Sequence, residues 1–150
     1  VVGAANERAE KTGSPAAAME LDDGTIITGK TTNLLGASAA LLLNVVKVLG
    51  NISHDIHLIA PSAIEPIQKL KVNYLGSKNP RLHTDEVLIA LSASAATDHN
   101  AQVALEQLPK LKGREVHTSV LLSDVDTKIF KKLGVNLTCE PIYEEKKIYH

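Results

Sequence analysis

The stretch from residue 19 to residue 50 constrains the fold of this chain more than any other segment. A strand-like run over residues 17–21 is followed by Asp23-Gly24, a strong hairpin-turn signal. Residues 25–28 then read Thr-Ile-Ile-Thr, a β-branched run that favours a second extended strand. Residues 34–49 form the most apolar helix candidate in the sequence. A hairpin with an apolar helix directly behind it predicts an α/β fold.

The same stretch contains a string that matches the phosphate-binding loop of nucleotide-binding proteins, Gly24-x4-Gly29-Lys30-Thr31. Such a loop must turn its backbone N–H groups inward around the phosphates. The four residues between the glycines are the ones that favour a strand, and a strand cannot also be a phosphate cradle. The match is therefore interpreted as a coincidence.

Residues 30–33, Lys-Thr-Thr-Asn, are polar and lead into the apolar helix, and Ser38 offers a second helix start. Two interpretations are open. Either Thr32 or Asn33 caps the helix while Lys30 points to water, or Lys30, Thr31 and Asn33 hold a phosphate or carboxylate at the helix N-terminus. Capping is favoured because every helix needs partners for its first N–H groups, whereas few helices bind ligands.

Composition excludes several classes of partner. Aromatic residues make up only 3% of the 150 residues, so the core must be aliphatic and stacking platforms for single-stranded nucleic acid are scarce. With 16 basic and 17 acidic residues, the chain has too little positive charge to neutralise a phosphate backbone. Neither a nucleic-acid partner nor a cofactor is expected. The single Cys139 excludes an internal disulfide and fits a reducing compartment.

The apolar helix is shorter than the roughly 20 residues that span a bilayer, and Asn44 and Lys47 interrupt it. No membrane partner is expected. Charged residues at positions 6–11 are incompatible with a signal peptide, so a cytoplasmic protein is expected. The length fits one α/β domain over residues 1–150. Because the chain starts without Met, it is expected to be either a processed chain or, as the favoured interpretation, a fragment of a longer protein.

The middle of the chain predicts short helices and one strand, from the positions of caps, stops and apolar residues. The expected elements are a helix over 1–12 stopped by Gly13, a strand over 56–60, a helix from Pro61, an irregular stretch over 73–81, and helices over 87–96 and 101–111.

The C-terminal part predicts a βαβ unit: a strand over 117–122, a helix from Ser123-Asp124 to Leu133, and a strand over 135–139. A helix between two strands makes the strands parallel, with a right-handed crossover. Residues 142–149 predict an exposed edge strand or tail. The expected fold class is an α/β layered sandwich with a mixed sheet, an N-terminal hairpin and this parallel βαβ unit, packed by aliphatic helices.

Six histidines invite a metal or catalytic interpretation. His54 and His57 are three residues apart but have no nearby Cys or carboxylate set, so no metal site is expected. Arg81, His83 and His117 would converge on an anion or a labile proton if the loop over 76–83 covered one end of the sheet. His117, however, starts its predicted strand, whereas open α/β sheets bind ligands at the carboxyl ends. Structural histidines are therefore the favoured interpretation.

Asp124 and Asp126 follow the same strand, at the end where α/β sheets bind ligands. Helix capping is the stronger interpretation of both. No Ser-His-Asp order or nucleophile elbow is present, and Cys139 has no identifiable partner base. An independent hydrolase is not expected.

Four segments resemble the C-terminal part of the uncharacterised bacterial family catalogued as domain of unknown function eighteen forty-six. They are residues 20–30 (ELDDGTIITGK), 70–83 (LKVNYLGSKNPRLH), 111–117 (LKGREVH) and 133–138 (LGVNLT). The resemblance covers nearly the whole chain and implies a cytosolic bacterial protein that is considerably longer. It carries over no activity and no catalytic residue, but Arg81, His83 and His117 belong to its most recognisable segments.

Two hypotheses of function follow. The first is an accessory or assembly domain without a complete active site, which packs against the missing N-terminal part of the same protein or against a second copy in a homo-oligomer. The second is half of an enzyme site that binds a small phosphate or carboxylate anion through Lys30, Asn33, Arg81 and His83. The second requires the loops at 30–33 and 76–83 to lie close together, and the first is narrowly preferred.

Overall fold

A four-stranded mixed sheet in the order β2-β1-β3-β4 organises the computed structural model, which describes residues 1–142. β1 (Ala16–Glu20) is antiparallel to β2 (Ile26–Lys30) and to β3 (Glu115–Thr118). β4 (Asn136–Cys139) runs parallel to β3. The predicted N-terminal hairpin, mixed sheet and parallel βαβ unit are confirmed.

Six α-helices surround this sheet, and two short helical turns interrupt their succession. The helices are α1 (Val2–Thr12), α2 (Ala37–Leu49), α3 (Pro61–Lys69), α4 (Thr84–Ala95), α5 (His99–Leu105) and α6 (Asp124–Leu133), with a π-helical turn over Leu70–Tyr74 and a 3-10 turn over Leu108–Leu111. Gly13 and Gly134 end α1 and α6 in the left-handed conformation, as the sequence predicts. Within the described residues, none of these helices is both long and apolar enough to cross a membrane.

The central strand β1 is buried on both faces, because its first four residues are all inaccessible to solvent. Successive side chains of a strand point to opposite faces. Ala17 and Met19 belong to the same core cluster as Leu41 of α2, so α2 covers their face. α1 packs against β1, β2 and β3 from the opposite face. The sheet therefore lies between two helical layers, as expected for a layered sandwich.

Helix α2 is buried on two sides. Leu41, Leu42 and Val45 pack into the core beneath the sheet. Ala39 and Val46 pack into a second core formed with residues from α3, α4 and α5. The apolar helix predicted from the sequence is thus the central helix of this domain, and its apolar character is satisfied within the domain itself.

The phosphate-loop string has two structural explanations that do not involve phosphate. Gly24 has φ +84° and forms the hairpin turn, a conformation that favours glycine. Gly29 lies in β2 where α2 crosses it, and a Cβ atom placed there would collide with the backbone of Leu41, with its Cα only 2.7 Å away. The string matches because one glycine makes a turn and the other allows a helix to approach a strand. The interpretation as a coincidence is confirmed.

Several predicted boundaries are wrong. Residues 56–60 form bends and irregular loop, with Leu58 and Ile59 buried in the second core, and a short apolar run cannot by pattern alone be assigned to a strand. The helix over 101–111 is broken, because Pro109 has no N–H with which to continue α5.

The apolar helix begins at Ala37, since Leu35 forms a bridge with Leu82. The strand over 117–122 instead covers Glu115–Thr118. The predicted edge strand or tail falls almost wholly outside the described residues.

Gly29→Ala is expected to destabilise the protein by about 1–3 kcal/mol, because the added methyl group would push α2 away from β2. Gly3→Ala is the matched control, since no atom lies within 4 Å of its added methyl group. In the helical setting of α1 the control substitution should cost nothing. Urea unfolding of the two variants measures the difference, and equal stability of both would contradict the close approach.

Candidate functional site

A cavity of about 70 Å³ lies at the carboxyl end of β3, the end at which α/β sheets bind ligands. The starts of three helices border it: Gly36 and Ser38 at α2, His83 at α4, and Ser123 at α6. A helix start presents unpaired backbone N–H groups and a partial positive charge. We call this space the polar cavity.

The start of α2 is buried and has no side-chain cap. Its N-cap residue is Gly36, which has no side chain to accept a hydrogen bond. Ser38, in the first turn, is only 3% exposed, and its Oγ has no hydrogen-bond partner in the part of the chain that the structure describes. Burying a hydroxyl without a partner costs about 1–3 kcal/mol. The polar cavity therefore contains a donor whose hydrogen-bonding capacity is unmet.

His83 and Asp126 form an ion pair on the wall of the polar cavity, with 3.5 Å between Nδ1 and Oδ2. The other carboxylate oxygen of Asp126 accepts hydrogen bonds from the backbone N–H (2.9 Å) and the hydroxyl (2.6 Å) of Thr84. The hydrogen bond to Asp126 raises the pKa of His83, against the opposing effect of burial. Burial alone would raise the pKa of Asp126, but the hydrogen bonds from His83 and Thr84 outweigh it and hold that pKa below its ordinary value.

The two loops that the anion hypothesis requires to be close are in direct contact. The Nε of Arg81 donates to the carbonyl of Thr32 at 2.5 Å. The backbone N–H of Leu82 donates to the carbonyl of Leu34 at 2.9 Å, and that of Gly36 to the carbonyl of Leu82 at 3.1 Å. Arg81 and His83 consequently line the same cavity beside the start of α2.

Acidic and basic groups both border the polar cavity. The His83–Asp126 pair is neutral overall when His83 is protonated. Glu86, in the first turn of α4, is paired with Lys71, whose Nζ lies 2.8 Å from its carboxylate. The guanidinium of Arg81 and the uncapped start of α2 add positive charge. Such an arrangement can bind an anion.

The remaining residues predicted to bind a ligand lie elsewhere. Lys30 lines a different cavity. Thr31 is buried, and its hydroxyl has no partner among the described residues. Asn33 is exposed and accepts a hydrogen bond at its carbonyl from the side chain of Gln68. The predicted capping of the apolar helix by Thr32 or Asn33 is wrong, because Gly36 is the N-cap residue.

His117 is separated from Arg81 and His83 by the alternation of side chains along β3. Thr118 lines the polar cavity, so His117 points to the opposite face of the sheet. There its Nδ1 lies 2.6 Å from the hydroxyl of Thr138 and its Nε2 lies 2.7 Å from a carboxylate oxygen of Glu140. The convergence considered from the sequence therefore includes Arg81 and His83 but not His117, which is a buried, hydrogen-bonded residue of the sheet.

Sequence reasoning missed two residues of the polar cavity. The sequence indicates only a second helix start at Ser38, and it places Asp126 at the ligand-binding end of the sheet but favours a capping role. The sequence signals for both are those of ordinary helix starts, so only the packing of α2, α4 and α6 reveals their shared location. Within residues 1–142, no three His, Cys, Asp or Glu side chains are grouped so that they could hold a metal ion.

Fold and cavity together define an α/β domain with a polar cavity at the end of a parallel strand pair. The whole chain except its last residue, residues 1–149, matches the family described as domain of unknown function DUF1846, C-terminal. The chain belongs to this family, and the expected resemblance is confirmed.

Relatives from two bacterial genera illustrate the family. A UPF0371 protein of Corynebacterium urealyticum is 60% identical over 149 residues, and one of Corynebacterium diphtheriae is 56% identical over the same length. A UPF0371 protein of Streptococcus pyogenes is 48% identical. In each case the match covers 99% of this chain and 30% of the relative. The chain thus spans less than a third of the length of the curated relatives it matches.

The His83–Asp126 pair predicts a specific pH dependence of stability. A histidine whose pKa is raised by folding stabilises the protein fully below its unfolded pKa of about 6.5, and that contribution is lost as pH rises through the folded value. An aspartate whose pKa is lowered by folding stabilises the protein fully above its unfolded pKa of about 3.8. This stabilisation is lost as pH falls through the folded value. The pair should therefore stabilise the protein most between these two values.

His83→Gln should remove about 1 kcal/mol of stability at pH 5.5 and much less at pH 8.5. Urea unfolding of both proteins at the two pH values measures this difference. Because all other titrating groups are shared, an identical pH dependence of wild type and variant would refute the role of the pair.

Proposed function

We propose that this domain contributes an anion-binding half-site to a longer protein, holding a phosphate or carboxylate group in the polar cavity. The observation that supports the proposal is the buried, unpartnered Ser38 hydroxyl at the uncapped start of α2. An anion at this position would accept hydrogen bonds from the hydroxyl and from the first N–H groups of the helix. Arg81 lines the same cavity and supplies positive charge, whereas the charge of protonated His83 is balanced by Asp126.

The size of the polar cavity favours one small group over a whole ligand. A cavity needs about 10–15 Å³ to hold one water molecule, so a cavity of about 70 Å³ has room for a single compact anion or the anionic end of a larger molecule. The remainder of such a ligand would extend out of this domain. The relatives extend far beyond the matched region, so the other half of the site is proposed to lie in the rest of the longer protein.

Ser38→Ala tests the proposal in the full-length protein. Removing the hydroxyl should leave the unliganded protein equally or slightly more stable, because a buried polar group without a partner disappears. The same substitution should abolish the specific stabilisation by phosphate, which for a ligand at 100 times its dissociation constant is about 2.7 kcal/mol. Thermal unfolding with and without phosphate and acetate measures both effects.

Ser92→Ala is the matched control, since Ser92 is an exposed residue of α4 that undergoes the same chemical change. The control is needed because phosphate also stabilises many proteins by exclusion from their surface. Phosphate should raise the unfolding temperature of the wild type and of the control by the same amount. For Ser38→Ala, only the non-specific part of this increase, due to exclusion of phosphate from the surface, should remain. Equal shifts in all three proteins would refute the anion site.

A second candidate function, as an assembly domain, is supported by the π-helical turn over Leu70–Tyr74. Its lysine, Lys71, is only 7% exposed and donates to the carbonyl of Arg81 at 2.5 Å, in addition to its ion pair with Glu86. With the lysine turned inward, apolar side chains remain at the surface, each more than a third exposed: Leu70, Val72, Tyr74 and Leu75. Contiguous exposed apolar residues are typical of a protein–protein contact. We propose that the rest of the longer protein covers them.

Leu75→Ser should destabilise the full-length protein by about 1.5–3 kcal/mol if Leu75 is buried against the rest of the chain. An exposed residue would instead change stability by less than about 0.5 kcal/mol. Ile89→Ser, at a residue of α4 that is 68% exposed, is the comparison. A small effect at Leu75 would contradict the assembly function, and a loss that depends on protein concentration would identify a second copy as the partner instead.

We also propose that residues 1–150 form one domain and that the protein is cytoplasmic. The two core clusters share the partly buried Leu88 and Leu108, which supports a single packing unit. Cys139 is a free thiol, which fits a reducing compartment.

A further inference from the structure

A second cavity, of about 300 Å³, lies beside α2 and opens between α1, the end of β2 and the loop before α3. Its titratable lining residues are all basic: Arg8, Lys30, Lys47, His54 and His57. We call it the basic cavity. We propose that it is a binding site for an organic anion, a carboxylate or phosphate monoester with a hydrocarbon or aromatic body.

The charge of the basic cavity is uncompensated by its own walls. Among residues 1–142, no Asp or Glu lines it, although the whole chain has more acidic than basic residues. Within residues 1–142, Arg8, Lys30 and Lys47 form no ion pair, because no carboxylate oxygen lies within 4 Å of their charged nitrogens. The five ion pairs there join Lys11–Glu7, Lys71–Glu86, His83–Asp126, Arg114–Asp22 and His117–Glu140. A concave surface with one sign of charge concentrates the field and attracts ions of the opposite sign.

Lys47 is a partly buried cation of this cavity. It is half-buried in α2, and its Nζ donates to the carbonyl of His54 at 3.1 Å. Burial lowers the pKa of Lys47, and the nearby carboxylate of Asp55 only partly opposes this effect. A bound anion would favour the charged form of Lys47 and so offset the cost of its burial.

The floor of the basic cavity is apolar, so it favours a ligand that has an apolar part as well as a charged group. Leucine and isoleucine side chains from three parts of the fold form it: Leu34, Leu35, Leu43, Leu58, Ile59 and Ile64. Ligand sites for small molecules are clefts of roughly 300–1,000 Å³ with a mainly apolar lining and a few charged groups that orient the ligand. With a volume of about 300 Å³, the basic cavity lies at the lower end of this range. Its ligand should therefore have an anionic head and a small apolar body.

The basic cavity is independent of the polar cavity, because no residue lines both. The contact between Arg81 and Thr32 and the bridge between Leu35 and Leu82 lie between them. Ligands of the two cavities can consequently be told apart by variants: Ser38 belongs only to the polar cavity, and Lys30 and Lys47 only to the basic one.

Isothermal titration of the full-length protein with octanoate and with phenyl phosphate tests the proposal. Acetate and inorganic phosphate supply the head groups alone, and octanol supplies an uncharged body. At least one of the two complete probes should bind, and should bind more tightly than its head group or octanol. Lys30→Gln and Lys47→Gln should each weaken that binding about tenfold, because each removes one charge beside the anion.

Lys128→Gln is the matched control, an exposed lysine of α6 that lines neither cavity. It should bind the probes like the wild type. Binding that is lost in Ser38→Ala but kept in Lys30→Gln and Lys47→Gln would belong to the polar cavity and would count against the basic one. Arg8→Gln, at an exposed residue of α1, gives a third charge removal that does not disturb the core. Failure of both complete probes to bind wild type, or equal binding to wild type and all three charge-removal variants, would overturn the proposal.

Discussion

The fold depends on the burial of α2 against the sheet on one side and against the other helices on the opposite side. One side packs Leu41 and Val45 beneath β1, and the other packs Val46 among α3, α4 and α5. The first contact is possible only because Gly29 lets the α2 backbone approach β2. A helix fixed on both sides cannot shift along its axis without disrupting two cores, because protein interiors are close-packed.

The fixed position of α2 determines where both proposed sites lie. Its first turn brings the uncapped N–H groups and the Ser38 hydroxyl to the end of β3, where the polar cavity forms. Its later turns bring Leu43 and Lys47 to the basic cavity. The contact between Arg81 and Thr32 holds the two loops together between these sites. One helix therefore serves as the core of the domain and as a wall of each cavity.

Sequence reasoning succeeded where the signal is local. Asp23-Gly24 predicted the hairpin because a tight turn needs a residue with positive φ. Gly134 predicted the end of α6 for the same conformational reason. It failed for residues 56–60, where an apolar run is buried without strand partners. It left open whether His117 meets His83, because the register of β3 decides which face of the sheet a side chain points to.

The sequence by itself determined the fold class, the hairpin and the βαβ unit, since turn residues, caps and apolar periodicity act over a few neighbouring residues. It also determined the family, through the four segments that resemble it. Only the tertiary structure decided which polar side chains meet. Ser38 and Asp126 are far apart in the chain and line one cavity, whereas Lys30 and Thr31 are adjacent and only Lys30 lines the basic cavity. The physical reason is that a site is made by side chains from different elements, whose relative positions are set by the packing of helices on the sheet.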